Sequence, residues 1–278
     1  GCLLLSLRLP GKLIFRFGLF NLLTLTILVG WKVSLVALVF VFFVWAILAL
    51  IKNQPNMAGR SLTCVGFFVA LLFLFLLHKL NLANIEFSTQ LKHAAPWFPI
   101  ENLFPFFVTL SFSYIFVRCI DFARSCTWEE VPLIDPISLM GYLMPFHMLL
   151  AGPVNSYDEH VQANGSPLSS MTPSKILIIM NEITTGLFYK FVLAEGIRLY
   201  FYGIEDNMSV TEWFDPSVLV VYIFFDFAGY SKIARGMGLL YGIPTPENFN
   251  APFFATSITE FFTRWHMSMG QFIKRTIL

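Results

Sequence analysis

Charge is scarce in this sequence. Only 13% of its 278 residues are Asp, Glu, Lys or Arg, about half the share a water-soluble domain carries. That is too few to cover a surface facing water. The 18 basic and 17 acidic residues leave a formal net charge of +1, with no basic run. This excludes a polyanion-binding surface, and with it nucleic acid as the main partner. Cysteine is also sparse. Cys2, Cys64, Cys119 and Cys126 lie in or beside apolar stretches, match no zinc spacing and outline no disulfide framework. They read as small buried hydrophobes. The five histidines are scattered and unpaired with Cys or carboxylates at ligand spacing, so no metal site is expected. Walker A, HExxH and GxSxG patterns are absent. Gly236 and Gly238 have Tyr241 where a dinucleotide fingerprint needs its third glycine. Gly238 and Gly242 read instead as a close-packing face between helices.

Apolar residues are what the sequence has in excess: 56% are hydrophobic, 17% aromatic, 32 are Phe, and mean hydropathy is +0.70. These values describe an all-α polytopic membrane protein. The expected architecture is a multi-helix transmembrane bundle with interfacial and broken helices around a funnel. Leu13–Gly30, Val33–Ile51 and Leu62–Leu80 are each near the ~20 residues that cross the hydrocarbon layer. Trp31-Lys32 separates the first two, and Lys52 to Arg60, with Pro55 and Gly59, is a turn. Asn81 to Pro99 is amphipathic and reads as interfacial, with Trp97 at headgroup level.

From Phe104 the character changes. Phe104–Ile120 carries Thr109, Ser111, Ser113 and Tyr114 and is read as ending at Arg118, Asp121 and Arg124. Ile134–Leu150 is interrupted by Pro136, Gly141 and Pro145 and bears His147, whose ring reads as structural. A polar loop, Gly152 to Pro173, leads to Ile176–Tyr202, which bears Glu182, Lys190, Glu195 and Arg198. Val218–Tyr241 carries Asp226 near its middle. Charges at membrane depth persist only when buried in protein or lining a cavity. The first three helices are therefore expected to face lipid and the later ones to form walls. Asp226 fits either a buried carboxylate bonded to Tyr230 or a neighbouring helix, or a direct functional role.

The last thirty residues say most. Pro244 to Pro252 is a rigid, Asn-rich loop. Ser257 to Glu260 fits a capping box. Ile258, Phe261, Phe262, Trp265, Met269, Phe272 and Ile273 then recur at helical spacing over roughly 120° of one face, with Glu260, Arg264, Lys274 and Arg275 opposite. This pattern predicts one amphipathic helix lying along the membrane surface or dipping into a funnel, with His266 at the edge of its apolar arc. Gly1 in place of Met, and Leu278 within a helical pattern, are what a fragment open at both ends would show. The layout expected is a single membrane-embedded domain, with peripheral helices in 1–80 and a core region in 81–278, incomplete at the C-terminus.

Five blocks then occur in order: Phe225 to Ser231 (FDFAGYS), Gly238 to Ile243, Pro246 to Phe253 (PENFNAPF), Ser257 to Phe261, and Arg264 to Ser268 (RWHMS). Together they resemble the membrane-bound O-acyltransferase family, in its bacterial alginate O-acetyltransferase and D-alanyl transferase branch. Weaker echoes occur at Leu150 to Pro153 and Ser111 to Tyr114. The resemblance implies transfer of an acyl group, acetyl in the first instance, from a thioester to a hydroxyl of an exported polysaccharide or envelope polymer. The donor would be acyl-coenzyme A or an acyl carrier protein, with no bound cofactor. It also implies a multi-pass protein of the cytoplasmic (inner) membrane, embedded in lipid and working with a second acyltransferase protein. Of two histidines associated with activity, His266 matches the first; the second lies on a later helix, beyond Leu278. Asp226, Tyr230, Asn248, Asn250, Arg264 and Trp265 are the expected chamber residues. The family's Trp-Leu-Arg-Asp stretch is altered here to Gln271 through Arg275. A multi-pass transporter explains the interrupted helices and intramembrane charge equally well, though not the Trp-His segment behind its Asn loop. An inactive scaffold of an envelope-modification complex is the third reading.

Overall fold

The second helix shows how an all-apolar segment still specifies an orientation. In Trp31–Lys52, the residues Val33, Ala37, Val41, Val44, Leu48 and Ile51 are buried, a stripe at spacings of three and four. Leu35, Val39, Phe42, Phe43 and Leu50 on the other side are exposed. A helix apolar all round with only one face packed is built for lipid. Its association rests on close packing, because lipid tails are as apolar as its own side chains.

The computed structural model describes residues 13–54, 56–79, 112–129, 131–163, 172–202 and 216–277. The expected interfacial segment 81–99, Cys2 and the first half of the 104–120 run lie outside these residues. Among the described residues the regular structure is helical: α1 Leu13–Val29, α2 Trp31–Lys52, α3 Met57–Lys79, α4 Phe112–Thr127, α5 Pro136–Leu143, α6 Tyr157–Gln162, α7 Pro173–Phe188, α8 Glu195–Tyr202, α9 Pro216–Tyr241, α10 Ile258–Arg264 and α11 Met267–Ile277. Short 3₁₀ turns occupy Phe146–Met148 and Pro252–Phe254. A π-helical turn, Tyr189–Ala194, joins α7 to α8. Among the described residues, three segments are long and apolar enough to cross a membrane: Trp31–Lys52, Pro173–Tyr200 and Ser217–Tyr241. Leu13–Val29 and Ala58–Phe73 are shorter apolar helices. The chain is an all-α membrane protein.

Several local expectations need correction. Trp31 and Lys32 lie in the first turn of α2, not between helices, and α3 begins at Met57, inside the expected turn. Arg118, Asp121 and Arg124 lie within α4 rather than at its end. Arg118 and Asp121 are fully buried there.

The chain divides into two compact units. The first comprises Gly1–Leu150 and Ser156–Ser166. Several of its buried polar groups serve the backbone. At the break after α5, Asn21 donates to the carbonyl of Met144 (2.9 Å) and accepts from the amide of Phe146 (2.6 Å). This repairs two groups that Pro145 and the chain reversal leave without helical partners. Asp121 accepts from Tyr142 Oη (2.9 Å) and the Tyr157 amide (2.8 Å). Asp135 caps α5 through Ser138, with Pro136 in the first turn. The His147 ring packs edge-on against Phe17 and Phe146. Cys64, Cys119 and Cys126 are buried and unbridged.

The second unit comprises Ala151–Asn155 and Pro167–Leu278. Here α7 and α9 meet backbone to backbone. A Cβ on Gly186 would lie 2.7 Å from the Gly229 carbonyl oxygen, and one on Gly229 would lie 2.7 Å from the Lys190 amide nitrogen. Only glycine permits this approach. The glycines that bring α7 against α9 are thus Gly186, Gly229 and Gly236, not Gly238 and Gly242 as the sequence suggested. Gly242, at φ 69°, ends α9: the Ile243 amide bonds the Gly238 carbonyl (2.9 Å) and the Gly242 amide that of Leu239 (3.4 Å), a left-handed stop of the Schellman type.

Candidate active site

The site is built from the second unit's loop and its two short C-terminal helices. Ser257 caps α10, its hydroxyl accepting from the Glu260 amide at 3.1 Å. The Glu260 carboxylate reaches back to the amide and hydroxyl of Thr256 (2.6 and 2.7 Å) and pairs with Arg264 at 2.5 Å. The capping box is present, with its return bond one residue upstream of the usual position. The Thr256 donors, and then Arg264, hold the Glu260 carboxyl below its ordinary range, with desolvation opposing.

The expected single helix is two. It breaks at Trp265-His266, where Trp265 is extended and His266 has φ 47°. The cause is long-range. Phe249 pairs with Trp265 as an isolated antiparallel bridge. The Asn250 amide donates to the Arg264 carbonyl (3.0 Å), and the Met267 amide to the Asn248 carbonyl (2.9 Å). These bonds replace helical ones and force the turn. Left-handed backbone on a non-glycine residue costs about 1–3 kcal/mol and persists where the surroundings impose it.

Asn248 holds the assembly together. Fully buried, it donates from Nδ2 to Ser231 Oγ on α9 (3.0 Å) and accepts at Oδ1 from Ser268 Oγ (2.5 Å). Ser268 Oγ in turn accepts from the Val154 amide (3.0 Å). One side chain thus links α9, the Asn loop, the start of α11 and the segment Ala151–Asn155.

His266 therefore stands at a fixed corner. Its ring meets Phe227 edge-on, with centroids 4.8 Å apart. Its Nδ1 is buried with no partner on another described residue. Burial pushes its pKa below the ordinary histidine value, its own carbonyl pulling weakly the other way, so the imidazole is neutral at pH 7. Around it Phe224, Phe227, Phe249, Phe253, Phe261 and Trp265 form an aromatic cluster, in which Trp265 stacks on Phe261 (5.4 Å, 21°) and meets Phe249 edge-on (5.1 Å).

On the α7–α9 side is a cavity of about 380 Å³, lined by Glu182, Lys232, Arg235 and Glu247 together with Ser231, Asn248 and aromatic rings. Of the sequence-derived chamber residues, Asn248 lines it. Trp265 and Arg264 belong to the His266 corner, Trp265 by its ring and Arg264 through Glu260 and its carbonyl. Asn250 is exposed and contributes its amide. Asp226 pairs with Lys190 on the π turn, so its partner lies on a neighbouring helix. Tyr230 on α9 is half-buried and, like Asp226 and His266, is not among the lining residues. Sequence reasoning missed Ser231, Ser268, Glu182 and Arg235. A small polar residue inside each matched block was the available signal for the two serines.

No protein-family model matches the chain. Among curated proteins it is 31% identical over 186 residues to a teichoic acid D-alanyltransferase of Bacillus subtilis, an alignment covering 65% of this chain and 46% of that one. It is 30% identical over 172 residues to a probable alginate O-acetylase of Azotobacter vinelandii, covering 61% and 33%. It is also 30% identical over 134 residues to a peptidoglycan O-acetyltransferase of Helicobacter pylori, covering 46% and 25%. Over these aligned stretches the chain is similar to acyltransferases that carry envelope-polymer names. It spans less than half the length of these relatives, so this homology covers only part of an acyltransferase body.

Proposed function

We propose that this chain is part of a membrane-bound O-acyltransferase. It would move an acyl group, acetyl in the first instance, from a thioester donor to a hydroxyl of an exported polysaccharide or envelope polymer. The relatives bear names for teichoic acid, alginate and peptidoglycan modification, which supports an envelope acceptor. The observation that carries the reading is His266: a neutral imidazole on a strained, cross-braced corner, with a buried ring nitrogen that its surroundings leave unpaired.

In the reaction the acceptor oxygen attacks the thioester carbonyl, the C–O bond forms, and the C–S bond breaks as the thiolate leaves. The hydroxyl proton passes to an imidazole and then to the departing sulfur. His266 orients the acceptor hydroxyl and assists this transfer, while the histidine expected beyond Leu278 serves as principal base. Asn248, through Ser231 and Ser268, holds His266 in place. Asp226 and Tyr230 fix α9, and Asn250, Arg264 and Trp265 fix the corner. The setting is the cytoplasmic membrane, crossed several times, with an acyl carrier protein or acyl-coenzyme A as donor and a second acyltransferase protein completing delivery.

The test is acyl transfer by membranes containing the full-length protein, measured with a labelled acetyl thioester. His266→Ala should lower turnover on the order of 10²-fold at normal protein yield. Unchanged turnover and acceptor affinity would remove His266 from the chemistry and favour a scaffold.

A further inference from the structure

The cavity beside α7 and α9 is lined by a cluster of two cations and two carboxylates, by Ser231 and Asn248, and by aromatic rings. Arg235 Nη1 contacts Glu182 Oε1 at 3.2 Å and also Glu247 Oε1, and Lys232 Nζ contacts Glu182 Oε2 at 3.3 Å. Both Glu182 oxygens are thus engaged. Lys232 has three donors and engages one of them with a described residue. Glu247 engages one oxygen of two. Both line the cavity, with side chains 34% and 46% exposed. The cavity therefore keeps open hydrogen-bonding capacity of both signs, side by side, while its four charges sum to zero.

Depth adds to this. Lys232 and Arg235 lie nine and six residues before Tyr241, the end of α9, which is roughly 9–14 Å at 1.5 Å per residue. Arg235 thus lies in the outer third of a membrane-crossing helix, and Lys232 lies one turn nearer its middle. A cavity of about 380 Å³ is within the range of small-molecule sites, ~300–1,000 Å³.

We infer that this cavity binds a phospholipid with a zwitterionic headgroup. The phosphate is held by Lys232 and Arg235. The ammonium is held by Glu247 and the faces of neighbouring rings such as Tyr189 and Phe225. The glycerol end and first methylenes lie against Phe224 and Phe253. An anionic lipid would leave the Glu247 oxygen unmatched and add a net charge to a neutral site, whereas a zwitterion satisfies both open groups. Free phosphoethanolamine shares the headgroup chemistry but not the apolar contacts. His266 does not line the site, though the two share Asn248 and the Phe224, Phe249 and Phe253 rings, and the inference does not depend on the proposed acyl transfer.

The experiment is native mass spectrometry of the full-length protein released from nanodiscs holding equal phosphatidylethanolamine and phosphatidylglycerol. Retained phosphatidylethanolamine should exceed phosphatidylglycerol about tenfold, a difference of ~1.4 kcal/mol, and Lys232→Gln with Glu247→Gln should abolish the preference. Equal retention, or enrichment of the anionic lipid, overturns the inference. A second arm needs only the wild type: short-chain phosphatidylethanolamine should displace the retained lipid at concentrations where phosphoethanolamine does not. Equal displacement by the two would assign the site to a soluble zwitterion and overturn the lipid reading.

Discussion

The two units place their polar groups to different ends. In the first, Asn21, Asp121 and Tyr157 turn inward and bond backbone groups that helix breaks expose, with Asp121 also accepting from Tyr142 Oη. The groove between its α2 and α3 is lined by Phe40, Phe43, Val44, Ile47 and Phe67, with Thr63 its main polar member. In the second, the charged residues of α7 and α9 ring a cavity, and two non-glycine residues, Ala251 and His266, sit in left-handed backbone; buried imidazole nitrogens without a partner among the described residues occur in both units, on His160 and on His266. Bonds that repair exposed backbone stabilise a fold, whereas imposed strain costs stability and persists where something else is gained. The first unit has the marks of a frame, and the second those of a working part.

Substitutions should separate these roles, and the largest effect belongs to the helix crossing. Gly229→Val places side-chain atoms where the Lys190 amide and Gly186 carbonyl already lie. It should cost about 3 kcal/mol or more, read as loss of folded yield from membranes. Next, Asn21→Leu leaves the Met144 carbonyl and the Phe146 amide unpaired. About 2–3 kcal/mol of stability should go, measured by the unfolding midpoint in detergent, with turnover per folded molecule unchanged. Asn248→Ala strips partners from Ser231 and Ser268. It should cost about 2 kcal/mol and, unlike Asn21→Leu, should also reduce turnover per folded molecule, because the His266 corner loosens. The smallest effect is Ser257→Ala, about 1 kcal/mol through the lost cap of α10.

Acid sharpens the same contrast. His266 titrates below its ordinary value in the fold, so the unfolded chain binds its proton first. Its contribution is complete above about pH 6.5 and declines as pH falls toward the lowered folded value. His266→Phe should flatten that part of the stability-against-pH curve. An unchanged slope would mean that the imidazole is not buried as described.

Much of this fold was legible in the sequence because membrane helices announce themselves by length and composition. α2, the α7–α8 run and α9 fall within a few residues of their apolar runs, and the Ser257–Glu260 cap was plain from spacing alone. His266 came from the ordered blocks, not from periodicity, and periodicity erred at that point. The residues from Ile258 to Ile273 read as one helix because local propensity cannot register a bridge from Phe249 or a carbonyl offered by Asn248. The same blindness hid the π turn at Tyr189–Ala194 and the role of Asn21, whose partners lie more than 120 residues away. Glycine spacing misled as well. Gly238 and Gly242 have the spacing of a packing motif but stop a helix, whereas Gly186, Gly229 and Gly236 pack across elements without that spacing.

One paired measurement bears most directly on the division of labour. Turnover per folded molecule in acyl transfer and the unfolding midpoint should be recorded side by side for His266→Gln and Asn21→Leu in the full-length protein. His266→Gln should lose turnover on the order of 10²-fold at an unchanged midpoint, while Asn21→Leu should lower the midpoint and keep turnover. Retained turnover in His266→Gln, or lost turnover that only follows a lowered midpoint, would contradict the division into frame and working part.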